Sequence, residues 1–147
     1  MFDSAGLEVL DRAECVRLLQ SVAVGRIVFT DQALPAVQPV NYAVLDEAVL
    51  FRTSQGSKLS AATRNAIVAF EADHFDNGLR NGWSVVIVGH AAEVLDRDEL
   101  RQINTLPLHS WTPTGPEHVI RVSIERIAGR RVRHAPAANP ASQRATG

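Results

Sequence analysis

The stretch VGRIVFTDQALPAVQPVNYAVLDEAVLFRT, residues 24–53, decides the fold class. Val24 to Thr30 is rich in β-branched and aromatic residues and reads as a strand. A turn at Asp31-Gln32-Ala33 follows, and a second strand runs from Pro35 to Leu45. Successive side chains of a strand point to opposite faces. Val37, Pro39 and Asn41 therefore share one face, and Gln38, Val40 and Tyr42 the other. Pro39 cannot donate to a ladder, which predicts an edge position or a bulge there. Asp46-Glu47 makes the next turn, and Ala48 to Thr53 returns as a third strand, closing a hairpin.

Working outward, Asp11 reads as a helix N-cap with Glu14 three residues on, the spacing of a capping box, and the helix runs through Gln20. Gly56-Ser57 opens a second helix, Lys58 to Arg64. Ala66 to Ala72 reads as a strand, Asp73 to Asn81 as a polar loop, and Trp83 to Leu95 as the longest strand. The consecutive Val85, Val86, Ile87 and Val88 suit a strand buried on both faces. Asp96 caps a third helix that ends near Thr105. Leu106 to Pro116 is irregular, His118 to Ile127 is a last strand, and the sequence from His134 onward carries no apolar pattern. Six strands with short helices at the junctions predict a mainly β fold, a small antiparallel barrel. It spans residues 1–133, with a disordered tail over 134–147.

The chain has 147 residues, which argues for one domain. Its net charge of -1 offers no case for nucleic acid or an acidic membrane as main partner. Cys15 is the single cysteine, so no internal disulfide forms, and its place on an apolar helix side reads as a buried, inert thiol. The N-terminus lacks a signal-peptide pattern. No apolar run approaches the ~20 residues that span a bilayer. The cytoplasm is the expected location. His74, His90, His109 and His118 lack the paired short spacing of a metal site.

The sharpest local feature is FRTSQGSKL, residues 51–59. A strand delivers Arg52 and Thr53, a glycine turn follows, and Ser57 and Lys58 start a helix. Lys58 is the only lysine among 15 basic residues. Cations and hydroxyls around a helix N-terminus form a phosphate cradle. The same residues also read as a polar turn capped by Ser57, with both cations solvated. The spacing is not that of a Walker P-loop.

In order, Gly25-Arg26-Ile27, Pro35 to Tyr42, Phe51-Arg52-Thr53, Gly56 to Leu59, Asn65 to Glu71 and Gly82 to Gly89 resemble the pyridoxamine 5′-phosphate oxidase-like family of split β-barrel flavin proteins. The resemblance covers roughly residues 8 to 133. It implies a six-stranded split barrel and a homodimer with FMN sites at the interface. On that resemblance Thr53, Ser57 and Lys58 contact the phosphate, and Arg52 stands beside them at a place the family often fills with an aromatic residue or histidine. Val37, Gln38, Pro39, Val40 and Asn41 face the flavin ring through their backbone, Ser84 approaches it from a neighbouring strand, and Trp83 lies beside it or is a core or interface tryptophan. The implied function is a flavin-dependent oxidoreductase of a small molecule. The alternatives are a reductase using 8-hydroxy-5-deazaflavin coenzyme, and a non-enzymatic flavin- or haem-binding protein. The oxidase's C-terminal Arg-His-Arg segment is missing, since Gly129 leads directly into Arg130, Arg131, Arg133 and His134. The chain therefore reads as no true pyridoxamine 5′-phosphate oxidase, and as closer to the shorter nitroimidazole-reductase-like and deazaflavin-dependent members. Pro107, Leu108 and Trp111 read as a lid over the ring or as dimer packing.

Overall fold

The computed structural model describes residues 1–111 and 115–133. Along the chain lie β1 (Glu8–Leu10), α1 (Arg12–Leu19), β2 (Val24–Asp31), β3 (Leu34–Leu45), β4 (Ala48–Ser54) and α2 (Lys58–Ala62). They are followed by β5 (Ala66–Phe75), β6 (Asn81–Glu93), α3 (Arg97–Ile103), β7 (Glu117–Ser123) and β8 (Arg126–Arg133). The predicted tail over 134–147 lies outside the described residues.

The sheet order is β1-β8-β6-β5-β2-β3-β4-β7, and β7 also pairs with β6. That last pairing closes β6, β5, β2, β3, β4 and β7 into a six-stranded antiparallel barrel. The turns that start it are tight. Gln32, Ala33, Asp46 and Glu47 all have positive φ, as a two-residue turn between right-twisted strands requires. Ile27, Phe51, Phe70, Ile87 and Ile120 fill the interior and are essentially inaccessible. A second cluster, Leu50, Val94, Ile103, Leu108 and Val119, packs α3 and the chain after it against the outside of β4 and β7.

Two elements lie beyond the six read from sequence. The run from His118 to Ile127 is not one strand. It breaks at Ile124-Glu125, and the chain returns as β8 on the remaining edge of β6, with β1 added outside it. β6 is long enough to serve two partners on one side: Asn81 to Val88 pair with β8, and Ala91 to Glu93 with β7. The crossover lies over Gly89, where a Cβ would run into the Ser123 carbonyl. Here Glu125 supplies what the ladder cannot. Its carboxylate accepts the His90 backbone N–H at 2.9 Å and pairs with His90 Nδ1 at 2.8 Å. The supposed polar loop is also shorter, because β5 extends to Phe75 and leaves a turn at 76–80. α2 stops at Ala62, before Asn65 takes a positive φ.

Gly89→Ala should destabilise the fold by about 1–3 kcal/mol or more, since the obstructing atom is backbone and cannot swing aside. Gly78→Ala, whose new methyl would meet nothing closer than 3.9 Å, is the control and should be nearly neutral. Urea denaturation of both variants measures the difference.

Candidate functional site

The β3–β4 ladder ends at Tyr42 and Phe51. Beyond that rung the two strands part, and a cleft of about 160 Å³ opens between them. Its walls include Gln38, Pro39, Val40 and Asn41 from β3, Arg52, Thr53 and Ser54 from β4, and Ser57 at the start of α2. Pro39 sits where β3 still pairs with β2, opposite Arg26, but has lost β4. Its missing N–H therefore breaks no bond to β4, which accounts for a proline inside an otherwise regular strand.

The third wall is the chain after α3, contributing His109, Ser110 and Trp111. Side chains from both parted strands hold it. Asn41 donates from Nδ2 to the Ala23 carbonyl at 2.9 Å and accepts the His109 N–H on Oδ1 at 2.7 Å. Arg52 donates to the Leu108 carbonyl at 3.3 Å and to Asn104 Oδ1 at 2.9 Å. A guanidinium has five N–H donors, so these contacts leave others for a ligand. Thr53 Oγ1 and Ser57 Oγ lie 2.9 Å apart, and Ser57 Oγ accepts the Ser60 N–H as the α2 cap. One hydroxyl proton joins the pair, which leaves the other to point elsewhere. Among the described residues the cleft lining holds Arg52 and no carboxylate. Its donor set suits an anion.

Seven of the residues singled out from sequence meet here: Gln38, Pro39, Val40, Asn41, Arg52, Thr53 and Ser57. Val37 lies next along β3 and is 64% exposed. Lys58 is not in the lining. Its side chain is 85% exposed and points to Asp31, 3.9 Å away. Trp83 and Ser84 are on β6, with β5 and β2 between them and β3. Trp83 instead borders another hollow with His74, Asp76, Arg131 and Arg133. Of the lid residues, Leu108 is core, whereas Trp111 does line the cleft. The sequence does not mark His109 and Ser110 as wall residues, since nothing in an irregular segment shows which strand it will cross. Arg130 and Arg131 are already engaged. Arg130 bonds Asp3 at 3.0 Å, and Arg131 bonds Glu14 at 2.5 Å and lies 3.7 Å from Glu8.

Outside the barrel, Arg26 faces both Glu71 and Asp73 at 3.3 Å. Burial, followed by the neighbouring Asp73 carboxylate, pushes the Glu71 acid up to about 7, against the pull of Arg26. Around these charges the outer sheet face is apolar. Val37, Val28, Ala69 and Val88 are neighbours across four strands by register. Val24, Ile67 and Val86 on the same sheet are also exposed.

The chain belongs to the pyridoxamine 5′-phosphate oxidase family: the profile described as Pyridoxamine 5'-phosphate oxidase matches residues 11–131. The Mycobacterium tuberculosis protein Rv0080 is 43% identical over 128 residues, 84% of each chain. Among solved structures, the FAD binding protein from Mycobacterium smegmatis is 41% identical, with a TM-score of 0.77 over 87% of this chain and 100% of that one. A FAD-binding protein from Mesorhizobium loti is 26% identical, with a TM-score of 0.71 over 85% of this chain and 96% of that one. Among the described residues no helix is long and apolar enough to cross a membrane.

The raised Glu71 has a signed consequence. Between its ordinary 4.5 and about 7 the folded chain holds a proton that the unfolded chain releases, so this group's contribution to stability falls as pH rises through that window. Glu71→Gln should therefore gain melting temperature relative to the native chain as pH increases from 5 to 8. Thermal melts at each pH measure this, and a constant difference would mean that Glu71 titrates normally.

Proposed function

We propose that this chain is a flavin-dependent oxidoreductase that holds its cofactor by the phosphate in the cleft between β3 and β4. The observation that carries the reading is the meeting of Arg52, Thr53 and Ser57 with the unpaired edge of β3 in a lining free of carboxylates. The FAD-binding relative at 41% identity makes a flavin the fitting occupant. Arg52, rather than the solvent-facing Lys58, is the cation of this site. The edge of β3 from Gln38 to Asn41 offers backbone groups to a flat ring. FMN consists of only the ring, its ribityl chain and one phosphate, and is the smallest cofactor that meets these donors. When bound, a flavin supplies the redox chemistry, and the protein's part is binding, orientation and exclusion of water.

A second copy of the chain is part of this reading. The cleft, at about 160 Å³, is smaller than the ~300–1,000 Å³ usual for a small-molecule site. The apolar outer face of β2, β3, β5 and β6 begins beside it, at Val37. A homodimer that covers this face encloses the ring and gives Trp83 and Ser84 a route to the partner's site. The chemistry acts on a substrate other than pyridoxamine 5′-phosphate. An oxidase of that compound needs a second anion site, and the C-terminal Arg130 and Arg131 are tied to Asp3, Glu8 and Glu14.

The protein as purified, or after loading with FMN, should show a flavin absorption spectrum rather than that of a deazaflavin or haem. Arg52→Ala should weaken FMN binding on the order of tenfold to a hundredfold, the range of a lost charge-assisted bond. Thr53→Val, nearly isosteric, should weaken it by roughly fivefold, and Lys58→Ala should do less than either. Fluorescence titration measures all three. Unchanged affinity in both Arg52→Ala and Thr53→Val would move the phosphate elsewhere. The loaded protein should also oxidise pyridoxamine 5′-phosphate at far below about one turnover per second, and a rate above that would reinstate the oxidase.

A further inference from the structure

Near the start of β7, the His118 side chain is buried, with 10% of its surface exposed. Its Nδ1 meets the Glu93 carboxylate of β6. Its Nε2 is the only buried side-chain nitrogen or oxygen among the described residues that has no hydrogen-bond partner. A buried polar atom left unpaired costs stability, so an orphan in an otherwise satisfied fold asks for a reason. The register supplies one. Across the β4–β7 ladder His118 stands opposite Thr53, one same-face step beyond the buried pair Phe51 and Ile120. Facing residues of antiparallel strands point to the same side, with Cβ atoms about 4.5–5.5 Å apart. β4 lies between the cleft and β7, so Thr53 has the cleft on one side and His118 on the other.

We infer that His118 is a positioning residue of the phosphate site, which acts through Thr53 and Ser57 and takes up a proton from solvent when an anion enters. The inference rests on the phosphate reading of the cleft. A carboxylate only accepts, so Nδ1 carries a proton toward Glu93. In the neutral ring Nε2 is then an acceptor. It draws the Thr53 proton, Thr53 Oγ1 accepts the Ser57 proton across the 2.9 Å between them, and neither hydroxyl donates to the cleft. In the imidazolium the order reverses. Nε2–H donates to Thr53 Oγ1, Thr53 donates to Ser57 Oγ, and the Ser57 proton is free to point at an anion while its oxygen keeps the Ser60 N–H. Both directions satisfy the row, and only the second serves a phosphate. Charge acts in the same sense, since the imidazolium cancels the Glu93 carboxylate that would otherwise oppose a nearby anion. Among the described residues Glu93 is the only charged side chain bonded to His118. Arg52 and Glu117 lie on the other faces of β4 and β7, Lys58 turns to Asp31, and Arg64 borders an outer hollow with Glu93. Glu93 is 26% exposed, so the pair can exchange protons with water. Histidine is the side chain whose charge changes near neutral pH, which puts the coupling in a measurable range.

The test is calorimetric titration of the full-length protein with FMN at pH 7.5, in two buffers with different heats of ionisation. At that pH the FMN phosphate is already a dianion, its second pKa being about 6, so proton uptake reports on the protein. The native chain should take up a large fraction of one proton per FMN. Its affinity should fall by up to about tenfold per pH unit between pH 7 and 8.5. His118→Gln, whose amide keeps an N–H₂ donor at any pH, should bind FMN with little uptake and with an affinity that stays level over that range. Where that variant fails to fold, Glu93→Gln carries the test, because loss of the carboxylate that holds the imidazolium should remove most of the uptake as well. No uptake by the native chain, or native uptake retained in either variant, would overturn the inference. Arg52→Ala separates this from the reading it rests on. Weaker FMN binding in that variant keeps the phosphate in the cleft when the inference falls, and unchanged binding removes both.

Discussion

Where β7 turns into β8, the Ser123 carbonyl lies against Gly89 of β6, so closely that no side chain fits between them. This approach lets one long strand serve two partners on the same side, and it closes the barrel. Without it β7 could not reach Ala91 to Glu93, and β7, bonded to β4 over seven residue pairs, would be left as the edge of an open sheet. The exchange of partners leaves the His90 N–H without a strand to bond, and the Glu125 carboxylate takes it. Packing, topology and polar satisfaction therefore meet at four residues, Gly89, His90, Ser123 and Glu125.

Closure at one place makes opening possible at another. The barrel can part β3 from β4 beyond Tyr42 because both strands are held on their other sides, β3 by β2 and β4 by β7. The freed backbone does not collapse. Pro39 needs no partner, while Asn41 and Arg52 turn their side chains to the chain after α3 and hold it across the gap. The same side chains that shape the cleft also give it its polar lining, so its structure and its donor set arise from one set of bonds.

Much of this was legible in the sequence, because the six barrel strands carry β-branched runs between short turns, signals that act over a few residues. The cluster from Arg52 to Ser57 stood out for the same reason. Pro39 predicted an edge, and the edge proved to be the cleft itself. What escaped was non-local. β8, in RIAGRRVR, reads as a charged chain end until Asp3, Glu8 and Glu14 are seen to neutralise Arg130 and Arg131 from far away in sequence. The break at Ile124-Glu125 depends on Gly89, which lies some 35 residues earlier. Lys58 attracted notice as the lone lysine, yet one residue after the cap its side chain turns to solvent. His109 reached the cleft only through a bond to Asn41, and no local pattern announces such a bond.

The family's barrel, the parted strands and the donors between them converge on one claim, that a flavin phosphate sits among Arg52, Thr53 and Ser57. A crystal structure of the flavin-loaded protein tests it most directly. The account predicts phosphate oxygens within hydrogen-bonding distance of the Arg52 guanidinium and of at least one of the two hydroxyls, with the ring along Gln38 to Asn41. A phosphate bound at Arg133 and His74 beside Trp83, with the β3–β4 cleft empty, would contradict it.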